Sequence, residues 1–203
     1  MTSNTRPHDL QAFLDAMRNG VESGSPDSET KACLARVVDA LRNPVPVAKS
    51  EPTKVPTSAL LQDALKPARA KDELKSLAQS ISNLAPLLTW RRRAGAAPEA
   101  SASFAEGHAN AMIVGPGGLE DRADVWVGLS LLAPDVRYPD HRHSPEEIYL
   151  FLTDGRFRQG EDDWFTPGVG GTLYNEPNIF HAIASVPNAP LLALWCLFDP
   201  RHS

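Results

Sequence analysis

With 203 residues, 42 % hydrophobic and 22 % charged, the sequence is long enough to bury a substantial core and too apolar to remain disordered. A formal net charge of -5 and a pI of about 5.7 argue against non-specific grip on nucleic acid, and the one basic run, Arg91 to Arg93, reads as a solvated strand edge. The first residues lack the basic-then-apolar pattern of a secretory leader and the longest apolar run, "PLLALWCLF", is far short of a membrane span, so a cytoplasmic protein without a membrane partner is expected.

Up to about residue 88 the pattern is helical. Leu10, Phe13, Leu14 and Met17 follow the spacing of one helix face, with Gly20 placed as the stop. A second stripe runs through Leu34, Val37, Val38 and Leu41, preceded by Asp27 or Ser28 as N-cap. The next fourteen residues, "NPVPVAKSEPTKVP", hold four prolines and form a linker that cannot stay helical. Helical periodicity resumes in "TSALLQDALK" and "KDELKSLAQSISNLAPLL", where Leu74, Leu77, Ile81 and Leu84 share a face. These helices carry no ionisable cluster, and their expected role is scaffold, lid or homodimer contact. Cys33 and Cys196 form no paired spacing and are expected to be buried small hydrophobes in a reducing compartment.

Beyond residue 88 the texture changes to short runs rich in Val, Ile, Leu, Tyr and Trp, split by Gly, Pro and Asp turns about every ten residues. That is the pattern of an antiparallel sandwich or small barrel. The expected organisation is a helical region with its linker over residues 1–88 and a mainly β domain over residues 89–203.

One stretch of the β half, "HRHSPEEIYLFLTDG" from His141 to Gly155, is unusually polar. In a continuous strand His141, His143, Glu147, Tyr149 and Phe151 share one face, while Ile148, Leu150 and Leu152 occupy the other, which must then be covered. Pro145 marks a bend or a strand start. Two imidazoles and a carboxylate within seven residues, with a further imidazole from His181 in "NIFHAIAS", form a donor set for one divalent metal ion. Zinc, iron, manganese and nickel all accept such a set, zinc and iron being favoured. His8, His108 and His202 lie in terminal or turn-like contexts and are read as solvated.

The string "HRHSPEE" resembles the first motif of the cupins, jelly-roll β-barrel proteins, and His181 matches the histidine of their second motif. Three positions depart from the cupin pattern: Asp135 stands where a glycine is usual, Glu176-Pro177-Asn178 replaces P-x-G, and Ser185 replaces the closing asparagine. Read outward, "VRYPDHRHSPEEIYLFLTDG" and "TLYNEPNIFHAI" behind a helical region resemble the cupin-type dimethylsulfoniopropionate (DMSP) lyases, most of all the DddQ type, and the H-x-H-x₃-E-x-Y string is the most specific part of that likeness. The resemblance implies elimination of dimethyl sulfide from DMSP to leave acrylate. It implies His141, His143, Glu147, Tyr149 and His181 as metal ligands, Tyr149 as catalytic base and Tyr138 as a second catalytic residue that orients substrate or assists proton transfer. His141 is the member of that set free to swing outward when the tyrosine coordinates. The positive sulfonium would suit an aromatic wall, for which Trp126, Tyr174 and Trp195 are the strand aromatics at hand, each also explicable as ordinary core. Two other readings stand beside this one: another metal-dependent cupin enzyme, a dioxygenase or isomerase on a small acid, and a non-catalytic cupin that binds a small ligand.

Overall fold

The structure, a computed structural model, describes residues 5–46, 51–95 and 97–202. Helices α1 (His8–Ser23) and α2 (Ser28–Ala40) come first, followed by a 3-10 turn at Pro56–Leu60, the short helices α3 (Leu61–Ala64) and α4 (Lys66–Arg69), and α5 (Lys75–Leu84). Then come strand β1 (Trp90–Arg91), the short helix α6 (Phe104–Gly107) and strands β2 (His108–Val114), β3 (Val125–Leu132), β4 (Glu146–Phe151), β5 (Arg156–Gln159), β6 (Thr172–Asn175), β7 (His181–Ala184) and β8 (Leu191–Phe198). Residues 47–50 of the proline-rich linker lie outside the described residues.

Asp27 is the N-cap of α2, its carboxylate accepting from the Thr30 N–H at 2.7 Å. Gly20 does not stop α1. It lies buried inside the helix, where a Cβ would stand 3.2 Å from methyls of both Leu150 and Leu77, and the helix runs on to Gly24. Its small size serves close approach of helix to sheet rather than termination.

The strands form a six-stranded antiparallel sheet in the order β1-β2-β3-β8-β4-β6 and a two-stranded sheet β5-β7. Strand β5 was not marked in the sequence, because "RFRQ" has one apolar residue and no run to read. The two faces of the large sheet pack differently. Ile148 and Leu150 of β4, with Leu192, Leu194 and Cys196 of β8, join Leu152 and the helices' Leu10, Phe13, Met17, Leu74 and Leu77 in one apolar core. The opposite face, with Tyr149, Phe151 and Ala193, packs on Phe157 and Ile183 of the small sheet in a second core. The fold is therefore mainly β, a cupin barrel with a helical N-terminal region laid against one side. Both cysteines are buried and unbridged in the helix-side core, as expected of small hydrophobes.

Two of the three departures from the cupin pattern keep a glycine-like backbone, and the third fixes the turn through its side chain. Asp135 and Asn178 have φ of 58° and 66°, the left-handed region that favours glycine and that Asp and Asn tolerate best among the other residues. Ser185 accepts from the Val136 N–H at 2.8 Å and donates to the Ala133 carbonyl at 2.6 Å, so one hydroxyl ties down the turn that holds Asp135.

Candidate metal centre

The polar stretch is not one continuous strand. Residues 136–141 run antiparallel beside β7: the Tyr138 N–H donates to the Ile183 carbonyl at 2.9 Å, and His141 and His181 exchange backbone hydrogen bonds of 3.0 and 2.9 Å. His143 lies in the loop that follows, and β4 begins only at Glu146. The chain leaves the ladder after His141, and Pro145, which lacks an N–H, closes the loop just before β4. The imidazoles thus come from three different backbone settings, and the tertiary fold rather than strand parity brings them to Glu147.

The three rings converge. The ligating nitrogens of His141, His143 and His181 lie within 4.8 Å of one another. Nε2 of His143 and Nε2 of His181 each stand 3.1 Å from the same oxygen, Oε2 of Glu147. Each ring is held from behind: Nδ1 of His141 meets the Pro139 carbonyl at 3.0 Å, Nδ1 of His143 the Pro145 carbonyl at 2.9 Å, and Nδ1 of His181 the Ile179 carbonyl at 3.1 Å. A carbonyl can only accept, so Nδ1 carries the proton in all three, and each neutral ring presents an Nε2 lone pair to the centre. Among the described residues, the buried His181 Nε2 has no hydrogen-bond partner of acceptable geometry. Lone pairs aimed at a carboxylate repel it unless a cation or additional protons intervene, so the donor set fits a divalent metal ion.

The electrostatics agree. Burial opposes ionisation of Glu147, yet the His143 and His181 rings crowded against it at 3.1 Å outweigh burial and hold the carboxyl well below the usual range. Burial, with His181 beside it, pushes His141 down to about 4, which keeps that ring neutral at pH 7. Burial also works to lower His143, but the neighbouring Glu147 carboxylate raises it overall. Asn175 of β6, directly opposite Glu147 in the ladder, donates from Nδ2 to Glu147 Oε2 at 2.9 Å, and Gln159 donates to Asn175 Oδ1 at 2.7 Å. Neither was found from the sequence, since "TLYNEP" fixes no register against β4.

Tyr149 shares the inner face of β4 with Glu147. Its ring packs edge-on to His181 and Phe157, with centroids 6.0 and 5.9 Å away. Burial and the Glu147 carboxylate push its phenol well above the ordinary value. Tyr138 lies on the neighbouring segment, its ring centroid 5.0 Å from that of His141. Both tyrosines, with His141, His143 and Glu147, line a cavity of about 220 Å³. Trp126, Trp195, Met112 and Leu197 supply further walls, while Asn110 and Ser130 add polar groups. Tyr174 does not line it. Its hydroxyl faces the helix side and donates to Glu146 at 3.0 Å.

One of the histidines read as solvated is not. His108 is buried, stacked on Phe104 at 3.8 Å; its Nδ1 meets the Phe104 carbonyl and its Nε2 accepts from the Arg93 N–H. It closes the turn from α6 into β2, away from the metal centre. His8 and His202 are exposed.

A family model for dimethylsulfoniopropionate lyases matches residues 29–193. The chain belongs to that family. A Cereibacter sphaeroides protein that carries the name dimethylsulfoniopropionate lyase DddL is 28 % identical over 192 residues, spanning 92 % of this chain and 78 % of the relative. Two solved structures share the fold. One, reported with the DMSP lyases RdDddP and RnDddQII, matches with a TM-score of 0.74 at 21 % identity over 95 % of this chain and 93 % of that one. The DMSP lyase DddQ from Ruegeria pomeroyi matches with a TM-score of 0.72 at 19 % identity over 95 % and 94 %. The resemblance read from the sequence is borne out, and the protein is a carbon–sulfur lyase of the cupin-type DMSP lyase family. No described helix is long and apolar enough to cross a membrane.

Proposed function

We propose that the protein cleaves dimethylsulfoniopropionate to dimethyl sulfide and acrylate, using a divalent metal ion held by His141, His143, Glu147 and His181 with Tyr149 completing the ligand set and serving as base. One observation carries this reading: imidazole lone pairs, each braced from behind by a backbone carbonyl, converge beside Glu147 at the wall of a cavity suited to a small molecule. A cation held by these residues would supply positive charge to stabilise the charge developing on the substrate carboxylate and to offset the burial that otherwise keeps Tyr149 neutral.

The protein's own residues do the rest. The Tyr149 phenolate takes the proton α to the carboxylate. The electrons of that C–H bond form the second bond of the alkene, and the β-carbon–sulfur bond breaks with its pair leaving on sulfur, giving neutral dimethyl sulfide. Asn175 holds the Glu147 carboxylate in place through the reaction. Trp126 and Trp195 offer aromatic faces to the sulfonium, and the mostly apolar walls limit the water that would compete for the phenolate.

Headspace gas chromatography over purified protein and DMSP, in an oxygen-free vessel, tests the proposal. Dimethyl sulfide should form, cease after chelation and return on adding a divalent metal. No dimethyl sulfide from metal-loaded protein would remove the reading, and an oxygen-dependent loss of substrate would assign the site to dioxygenase chemistry instead.

A further inference from the structure

A line of hydrogen bonds crosses the cavity wall and uses residues that the metal centre does not. The Trp195 indole N–H donates to Ser130 Oγ at 3.1 Å, Ser130 Oγ donates to Asn110 Oδ1 at 2.8 Å, and Asn110 Nδ2 donates to the Tyr138 hydroxyl oxygen at 3.2 Å. The sheet register builds this line. Asn110 and Ser130 are direct partners across β2 and β3, and Trp195 faces Gly128 across β3 and β8. A Cβ at Gly128 would stand 2.3 Å from the Trp195 ring, so the absent side chain lets the indole lie over β3 and reach Ser130 two residues on.

The polarity of the line is not arbitrary. An indole N–H can only donate, so the Ser130 oxygen must accept from it and turns its own hydrogen to Asn110. The Asn110 carbonyl is thereby used, and its amide nitrogen must face Tyr138. The tyrosine oxygen then accepts, which leaves its own hydrogen free to point elsewhere. We propose that Asn110 and Ser130 are positioning residues that, with polarity set by Trp195, aim the Tyr138 O–H into the cavity as a hydrogen-bond donor to the substrate carboxylate. Only the identity of that acceptor rests on the DMSP reading. Tyr138 is therefore a donor that orients the substrate, and proton removal is left to Tyr149.

The Asn110→Asp variant tests the direction, because it keeps the shape but replaces the donating end with an oxygen to which Tyr138 would give its hydrogen. It should lower kcat/KM for DMSP about tenfold or more in the wild-type background and less than about twofold in a Tyr138→Phe background, as coupled groups do. Equal losses in both backgrounds would show a merely structural role and overturn the proposal. A second measurement needs no turnover: in proton–nitrogen NMR spectra the Trp195 indole signal, assigned with Trp195→Phe, should shift in both Ser130→Ala and Gly128→Ala. An unmoved indole signal in Ser130→Ala would refute the line itself. Wild-type protein that releases no dimethyl sulfide would instead defeat the substrate reading, leaving the NMR result to decide whether the line itself exists.

Discussion

Strand β4 turns Glu146, Ile148 and Leu150 toward the helices and Glu147, Tyr149 and Phe151 toward the inside of the barrel, and all six are buried. On the helix side the one polar side chain of β4, Glu146, is fully answered within the protein. Both Glu146 oxygens accept from Arg36 of α2 at 2.6 Å, Tyr174 adds a third hydrogen bond, and the rest is hydrocarbon. On the inner side the ligating nitrogens point at a common centre, and Nε2 of His181 has no hydrogen-bond partner among the described residues. Burial is equal on the two faces, so burial does not mark the site. What marks it is the convergence of several buried donor atoms on one point, one of them, His181 Nε2, without a protein partner among the described residues.

If that contrast is sound, substitutions on the two faces separate rate from stability. The largest effect is expected from Tyr149→Phe, which keeps the ring and its packing but deletes the atom proposed to accept the proton. Turnover of folded, metal-loaded protein should fall about 10²–10⁴-fold while stability moves by about 1 kcal/mol. A variant with more than about a tenth of wild-type turnover would contradict the base assignment. One residue further on, Leu150→Ala should do the reverse, costing about 2–5 kcal/mol in a denaturant titration with turnover per folded molecule almost unchanged. Equal damage to turnover would show that the faces are not independent.

A smaller effect is expected from Arg36→Met. It leaves Glu146 buried with only Tyr174 to answer it, but the Arg36 side chain is 43 % exposed, so solvent already screens the pair. A loss of about 1–2 kcal/mol is expected, with metal content intact. Smallest of all is a pH effect remote from the strand. The bidentate hydrogen bonds from Arg122 outweigh burial and hold the Asp124 carboxyl below its ordinary value. A lowered folded pKa gives stability that is complete above the unfolded value, about 3.9, and is lost as pH falls through the folded one. Asp124→Asn should therefore lower stability by no more than about 1 kcal/mol at neutral pH and leave a shallower decline below pH 4.

The features legible in the sequence are those with local causes. The stripes of α1, α2 and α5 announce themselves by spacing, Asp27 by its place before a helix, and Ile148, Leu150 and Leu152 by an alternation that demanded a cover, which the helices provide. His141, His143, Glu147 and His181 were readable as a donor set because few other roles need those residue types so close together. What was not legible depends on contacts between distant segments. Gly20 reads as a helix stop until Leu77 and Leu150 are known to press against it. Asn175 reaches Glu147 only through the β4–β6 register, and His108 needs Phe104 and the Arg93 backbone to be buried. Asn110 and Ser130 left a faint signal, as single polar residues inside "HANAMIV" and "VWVGLSLL", but nothing local shows that they are opposite each other.

Metal content per chain, measured side by side on wild-type protein and on a His143→Ala/His181→Ala double variant after saturation with a divalent metal and exhaustive dialysis, tests the account at its centre. The geometry predicts one ion per wild-type chain and none in the double variant, which should also release no dimethyl sulfide. Full occupancy in the double variant would show that the convergent imidazoles are not the metal site.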